Sequence, residues 1–335
     1  MVISLCFVGS GLAASSGNLK LGHTESAIDI ISSPYMALTD TFKSTVEAQT
    51  NARFKIQVYP NKQLGDLQDL LTQCQKGVID MTVGQNVSVI ASIYPEAAIL
   101  ELPYAFVNTD LARAFLNGPY GRNLSDNIAE NTGVRPLAWL PSAMRCFANN
   151  VREIKSPEDM KGLKIRVMPA PMHVEMVKAL GAQPTPIAWA ELYTSLQTGV
   201  VDGHEQAPYQ IPMANLDEVS KYFTLDNHVL NVTGIFINEK FYQSLSEEDK
   251  AVFRLAARNA QLAFLGIVQA KEPADFETMR NKGMKITALT PEEQQKFKEL
   301  AQPAVVKLFN STLGEEVVSE FLEAIKEMEL EFAKQ

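Results

Sequence analysis

The chain switches repeatedly between two hydrophobic periods, and the switching places most of its elements. In Leu19-Lys20-Leu21-Gly22-His23 and again in Phe54-Lys55-Ile56-Gln57-Val58 the alternation of apolar and polar residues is that of a strand with one buried face. Between them Tyr35, Leu38, Phe42 and Val46 recur at three- and four-residue spacing, which predicts a helix from about Pro34. Leu67, Leu70, Leu71 and Cys74 predict a second helix, and Ile79–Val83 a third strand. This exchange of periods marks an α/β domain. Pro95, Pro103 and Pro119 punctuate a region of loops and short helices before a strand at Val134–Leu140.

A second α/β unit opens near Ser142. In its strand Leu163–Val167 the apolar residues alternate, so Lys164 and Arg166 share the other face, and Pro169 and Pro171 stop the strand. Alternation alone makes Arg166 a solvated surface residue, the common state of arginine. The alternative is an arginine at a strand end, placed for a carboxylate in a cleft. Asp202-Gly203-His204-Glu205-Gln206 reads as a polar elbow, and His228–Val232 and Gly234–Asn238 as two further strands. Ser246 followed by Glu247, Glu248 and Asp249 starts a helix that runs to about Lys282, interrupted only by Pro273, where a kink is expected. Its length, on the order of 50 Å, exceeds one small domain and predicts a helix crossing both. Helices also follow Pro291-Glu292-Glu293 and Gly314. No run beyond the N-terminus approaches the ~20 apolar residues of a membrane span.

Composition narrows the function. A chain of 335 residues predicts two domains, and a net charge of −9 without a basic block argues against nucleic acid as a partner. Residues 1–13 form a short apolar run ending in small residues, which predicts a cleaved secretory leader, although the usual basic start is missing. Gly9-Ser10-Gly11-Leu12-Ala13-Ala14 also matches a dinucleotide-binding GxGxxA run, so an NAD-dependent oxidoreductase is the alternative. The polar residues that follow provide no helix to receive a pyrophosphate. Cys74 and Cys146 are expected as buried free thiols, and His23, His173, His204 and His228 show no metal spacing. No nucleophile motif and no phosphate loop is present; that does not exclude an enzyme but leaves no residue to nominate as nucleophile or base.

Several segments together resemble one family. Ser156-Pro157-Glu158-Asp159-Met160-Lys161-Gly162-Leu163-Lys164-Ile165-Arg166-Val167 is similar to the signature of the TRAP-transporter solute-binding proteins (DctP-like). So are Ala179–Pro186, Glu191–Gly203, Val58–Gly65, and Tyr94–Ala98 through Leu102-Pro103-Tyr104. The resemblance implies a bilobal periplasmic binding protein whose two α/β lobes are joined by crossing strands and a long helix. The lobes are expected at 18–141 plus about 232–271 and at 142–231 plus about 272–335. It implies an organic anion held between them and delivered to TRAP permease subunits in the membrane by a monomeric, periplasmic receptor that is not an enzyme and carries no cofactor or metal; an extracytoplasmic sensor of the same fold is a further alternative.

By position in the family motifs, Arg166 is implied as the carboxylate anchor and Arg145 as a second arginine. Gln206 matches the elbow amide, Trp189 the aromatic before the ELY run, and Gln85 and Asn86 the polar pair after the third strand. His23 and Thr24 complete the expected ligand-binding set. The chain departs from the pattern at Ala143, and at His204, Gln206 and Ala207 in the elbow, where a DGQENP-like run is usual. Two arginines suit a dicarboxylate; Trp189 and the amides suit a hydroxylated sugar acid.

Overall fold

The computed structural model describes residues 16–26, 29, 30, 33–332 and 334, so the leader and the GxGxxA run lie outside the described residues. Nine strands form one mixed sheet: β1 (Gly17–Gly22), β2 (Phe54–Tyr59), β3 (Met81–Asn86), β4 (Val134–Asn149), β5 (Lys164–Val167), β6 (Gln183–Pro186), β7 (Gly203–Gln206), β8 (Tyr222–Asn238) and β9 (Lys285–Ala288). Their order is β2-β1-β3-β8-β4-β7-β5-β6, with β9 beside β8. Parallel groups β2-β1-β3 and β7-β5-β6 flank the long antiparallel pair β8–β4.

That central pair corrects the expected segmentation. Val134–Leu140 and the chain beyond Ser142 are one strand, and the two strands expected at His228–Asn238 are one strand beginning at Tyr222. The expected lobe boundaries at 141/142 and 231/232 lie within these two strands, and the one at 271/272 within the helix Glu247–Asn281, in keeping with lobes joined by crossing strands and a long helix. Register shifts at Pro136/Ala138 and Pro141/Ala143 let β4 run on, because each proline sits at a bulge where no ladder donor is needed. A third shift, between Arg145 and Phe147, leaves Leu225, Asp226, Asn227 and His228 without partners on β4. Asp226 then accepts from the Phe147 amide at 3.0 Å.

The elbow is also corrected. Gly203–Gln206 is strand β7, buried along its whole length between β4 and β5. Gly203 permits the approach: a Cβ there would lie 2.3 Å from the Ala148 carbonyl oxygen. Two four-residue strands, β6 and β9, were not anticipated; the prolines of β6 are tolerated because it lies at the sheet edge.

The long helix spans Glu247–Asn281 and continues through Pro273, with Ser246 Oγ accepting from the Asp249 amide at 3.1 Å. Phe253, Ala256, Ala257, Ala260 and Phe264 are buried in a core shared with the Pro34–Gln49 helix, where Phe42 meets Phe253 edge-on at 6.1 Å. One 18-residue window of this helix reaches a mean hydropathy of 1.2, so by composition alone it is long and apolar enough for a membrane, contrary to expectation. Part of that apolarity faces the core, whereas Leu255 and Leu262 are exposed. The Pro291–Thr312 and Glu315–Phe332 helices close the other main core, with Phe321 against Phe106, Phe115 and Tyr120. Cys74 and Cys146 are buried and free, as expected.

Candidate functional site

A cavity of about 310 Å³ opens beside the carboxyl ends of β1, β3, β5 and β7, where parallel strands present their loops. Thr24 and Glu25 follow β1; Gly84 and Asn86 belong to β3; Met168 and Pro169 follow β5. Gln206 and Gln210 come from β7 and the turn after it, and Asn231 and Thr233 from β8. Gly84 adopts φ +82° at a bulge in β3 and brings bare backbone beside Tyr35.

Arg166 ends β5 and reaches this cavity. It is only 1% exposed, among the largest fully buried side chains of the molecule. The solvated surface arginine predicted by alternation is therefore wrong: β5 is an interior strand in which Ile165, Arg166 and Val167 are all buried and only Lys164, at its start, is exposed. Arg166 Nε donates to the Ile187 carbonyl at 2.8 Å, while Nη1 is buried with no hydrogen-bond partner. Burial, and then the nearby Arg145 charge, pull its guanidinium down to about 10, against the opposing pull of Glu205. An orphaned, charged donor inside a cavity is a place for an anion.

Arg145 also lines the cavity, and each of its three nitrogens already has a partner, although each Nη keeps a second N–H. Nε donates to Glu205 Oε2, Nη2 to the Glu205 carbonyl at 2.7 Å, and Nη1 to Asn231 Oδ1 at 2.9 Å. Burial pushes the Glu205 carboxyl up, yet Arg145, His173 and His228 outweigh it and hold the group well below the usual carboxylate range. Behind the pair, His173 lies between Glu101 (3.4 Å) and Glu205 (3.7 Å), and His228 between Asp226 (2.8 Å) and Glu205 (3.5 Å). The second arginine is thus an internal ion pair with a buried acidic and histidine shell. Among the described residues no group of three or more His, Cys, Asp or Glu is arranged to hold a metal.

The other expected residues divide. Trp189, Gln206, Asn86 and Thr24 line the cavity. Asn86 also caps the helix that follows it, accepting from the Val89 amide at 2.9 Å. Gln85 and His23 are buried outside the cavity lining: Gln85 donates to Thr82 Oγ1 at 2.9 Å, and the His23 ring stacks with Tyr35 at 6.4 Å. His204 is buried against Ser220 Oγ at 3.1 Å, and burial followed by the Arg166 charge lowers it to about 3. Ala207, where the resemblance leads one to expect proline, uses its amide to donate to Gln210 Oε1 at 3.2 Å, a bond proline cannot make. The elbow departure therefore orients a second cavity amide. Sequence reasoning missed Glu25, Gln210, Asn231 and the Glu205 counter-ion, although Glu205 and Gln210 lie within or just beyond the motif that drew attention to Gln206.

Comparison with known proteins agrees with this geometry. Residues 25–312 match the bacterial extracellular solute-binding protein family 7, DctP. A solute-binding protein of Roseobacter denitrificans is 33% identical over 276 residues, 82% of each chain. The ectoine-binding periplasmic protein TeaA of Halomonas elongata is 30% identical over 98% of this chain and 96% of its own. The crystal structure of a sugar-acid-binding protein from Advenella mimigardefordensis in complex with galactonate superimposes with a TM-score of 0.85 at 27% identity, covering 94% of this chain and 99% of that one. These relatives are binding proteins rather than enzymes. The chain belongs to the family 7 (DctP) extracellular solute-binding proteins, the solute-binding subunits of TRAP transporters.

Proposed function

We propose that this chain works in the periplasm as a non-catalytic receptor, holding a hydroxylated organic acid by its carboxylate on Arg166 before delivery to the permease. The observation that carries the assignment is the buried, unpartnered Nη1 of Arg166 in the cavity wall. A charge-assisted arginine–carboxylate pair contributes about 1.5–3 kcal/mol, whereas micromolar affinity needs about 8. The remainder comes from enclosure, from Trp189 against the ligand's apolar face, and from hydrogen bonds to Gln206, Gln210, Asn86 and Thr24. A sugar acid offers a carboxylate and many hydroxyls, and this set of neutral polar groups suits it.

Arg166→Met keeps the apolar stem and removes the charge. Isothermal titration with galactonate and a panel of related sugar acids is expected to show a loss of affinity of about ten- to a hundredfold for whichever acid the native protein binds. The thermal midpoint of the empty protein should stay level or rise, since an uncompensated buried cation is removed. Retained affinity in a folded Arg166→Met variant overturns the assignment.

A further inference from the structure

Gln210 stands in the cavity wall with its amide turned one way. It closes the turn that follows β7, where its backbone N–H donates to the Ala207 carbonyl at 3.0 Å and its Oε1 accepts from the Ala207 N–H at 3.2 Å. These two bonds fold the side chain back onto the turn. Ala207 is fully buried, so its N–H needs that partner, and a flipped amide would set NH2 against N–H. The backbone therefore fixes the orientation. Oε1 is taken, and the Nε2 donors, which have no hydrogen-bond partner among the described residues, are what Gln210 offers the cavity. Asn86 does the same from the other group of parallel strands, since its Oδ1 accepts from the Val89 amide. Asn231 has nothing left to offer, because Arg145 occupies its Oδ1 while Ser142 and Tyr209 take its Nδ2.

We propose that Gln210 is a specificity-determining residue: it donates from Nε2 to one oxygen of the bound acid outside the carboxylate. It thereby selects ligands that carry an acceptor, a hydroxyl or an oxo group, at that carbon. The role rests on Arg166 as the anchor, which fixes the carboxylate and with it the carbon that lies opposite Gln210. A methylene at that carbon leaves the amide donors unpaired, and an ammonium sets donors against donors. The arrangement belongs to this chain's own elbow rather than to the DGQENP-like run that is usual there. A proline at position 207 has no N–H to give, so the Gln210 amide would be free to turn over and to accept as readily as donate. Ala207 thus acts through Gln210, as its positioning residue.

The test is a deoxygenation scan by isothermal titration. It uses the sugar acid that the native protein binds best, together with its monodeoxy analogues at each hydroxylated carbon. Gln210→Met should weaken the parent acid about three- to tenfold. At one carbon the cost of deoxygenation, of similar size in the native protein, should fall below about twofold in the variant, while the other carbons keep theirs. An amino analogue at that carbon should bind the native protein more weakly than the deoxy one. Ala207→Pro keeps Gln210 but lets its amide choose between two orientations, so binding should weaken about twofold or more, and at the same carbon only. The double variant Ala207→Pro, Gln210→Met leaves no orphaned N–H and supplies the measurement where Gln210→Met alone does not fold. The proposal is overturned if the folded Gln210 variant shows the native profile of deoxygenation costs, if Ala207→Pro leaves that profile and the affinity unchanged, or if no acid binds. Arg166→Met, titrated alongside, separates the two failures. Loss of binding there with an unchanged profile in Gln210→Met refutes the role of Gln210 and leaves the anchor standing, whereas retained binding refutes the anchor itself.

Discussion

Glu205→Gln probes the buried ion pair between Arg145 and Glu205. The substitution preserves shape but leaves the Arg145 guanidinium, 2% exposed, without its counter-charge, while His173 and His228 lose the acid they face. Removing one partner of a buried ion pair costs about 3–5 kcal/mol. For 335 residues the entropy of unfolding near the midpoint is about 0.7 kcal/mol per kelvin, so the thermal midpoint should fall by about 4–7 °C. The double variant Arg145→Met, Glu205→Gln removes both charges and should recover more than half of that loss, which gives a coupling energy of at least about 1.5 kcal/mol. The assay is calorimetry of the empty protein, single and double variants side by side. A midpoint lowered by less than 1 °C in Glu205→Gln, or a double variant less stable than both single variants, refutes the account of Arg145 as an internally neutralised group.

Two further outcomes follow from the site and its surroundings. His23 and His204 are lowered by burial to about 4 and about 3, with the Arg166 charge adding to the effect on His204. Both are therefore neutral when folded but take up protons near pH 6.5 when unfolded, so their stabilisation is lost as pH falls through 6.5 towards 4. At pH 5 each has lost about 2 kcal/mol relative to pH 7.5. His228 works in the opposite sense: burial lowers it, Asp226 and Glu205 outweigh that and raise it, and its stabilisation is lost as pH rises. The net expectation is a thermal midpoint that falls by up to about 6 °C between pH 7.5 and 5; a midpoint that rises over this interval contradicts it. Trp189→Ala should weaken binding by about three- to tenfold and alter the ranking of acids in a titration series, and an unchanged ranking at unchanged affinity would show that the indole does not touch the ligand.

What could be read from the sequence, and what could not, divides along the range of the interactions. The strand and helix periods are local, and they located β1, β2 and β5, the Pro34–Gln49 helix and the Ser246 cap closely. Continuity of β4 and β8 was hidden because prolines and a glycine break the local pattern, while bulges in the partner register absorb the breaks. The depth of Arg166 was hidden because alternation sees only one covered face, and β5 becomes interior through neighbours from other parts of the chain. Gly203–Gln206 looked like a turn because it is polar. It is a buried strand because Arg145, 60 residues earlier, and Ser220, 16 residues later, supply the partners that its polar side chains need. The family motifs found Arg166, Gln206 and Trp189 at the cavity, but they assigned Arg145 by position, and position carries no information about whether a charge is already paired.

That pairing explains how one arginine can act as a gate. If the lobes close with nothing between them, Arg166 Nη1 stays buried without a partner, and an unsatisfied buried donor costs about 1–3 kcal/mol. A carboxylate removes that penalty and adds its own attraction, so this group alone tilts closure towards the loaded protein by a factor of roughly 5–150. Arg145 biases closure less, because Glu205 already balances its charge in the empty protein. Among the described residues, the selectivity of closure for an acid therefore resides chiefly in Arg166, whose Nη1 the fold leaves unsatisfied.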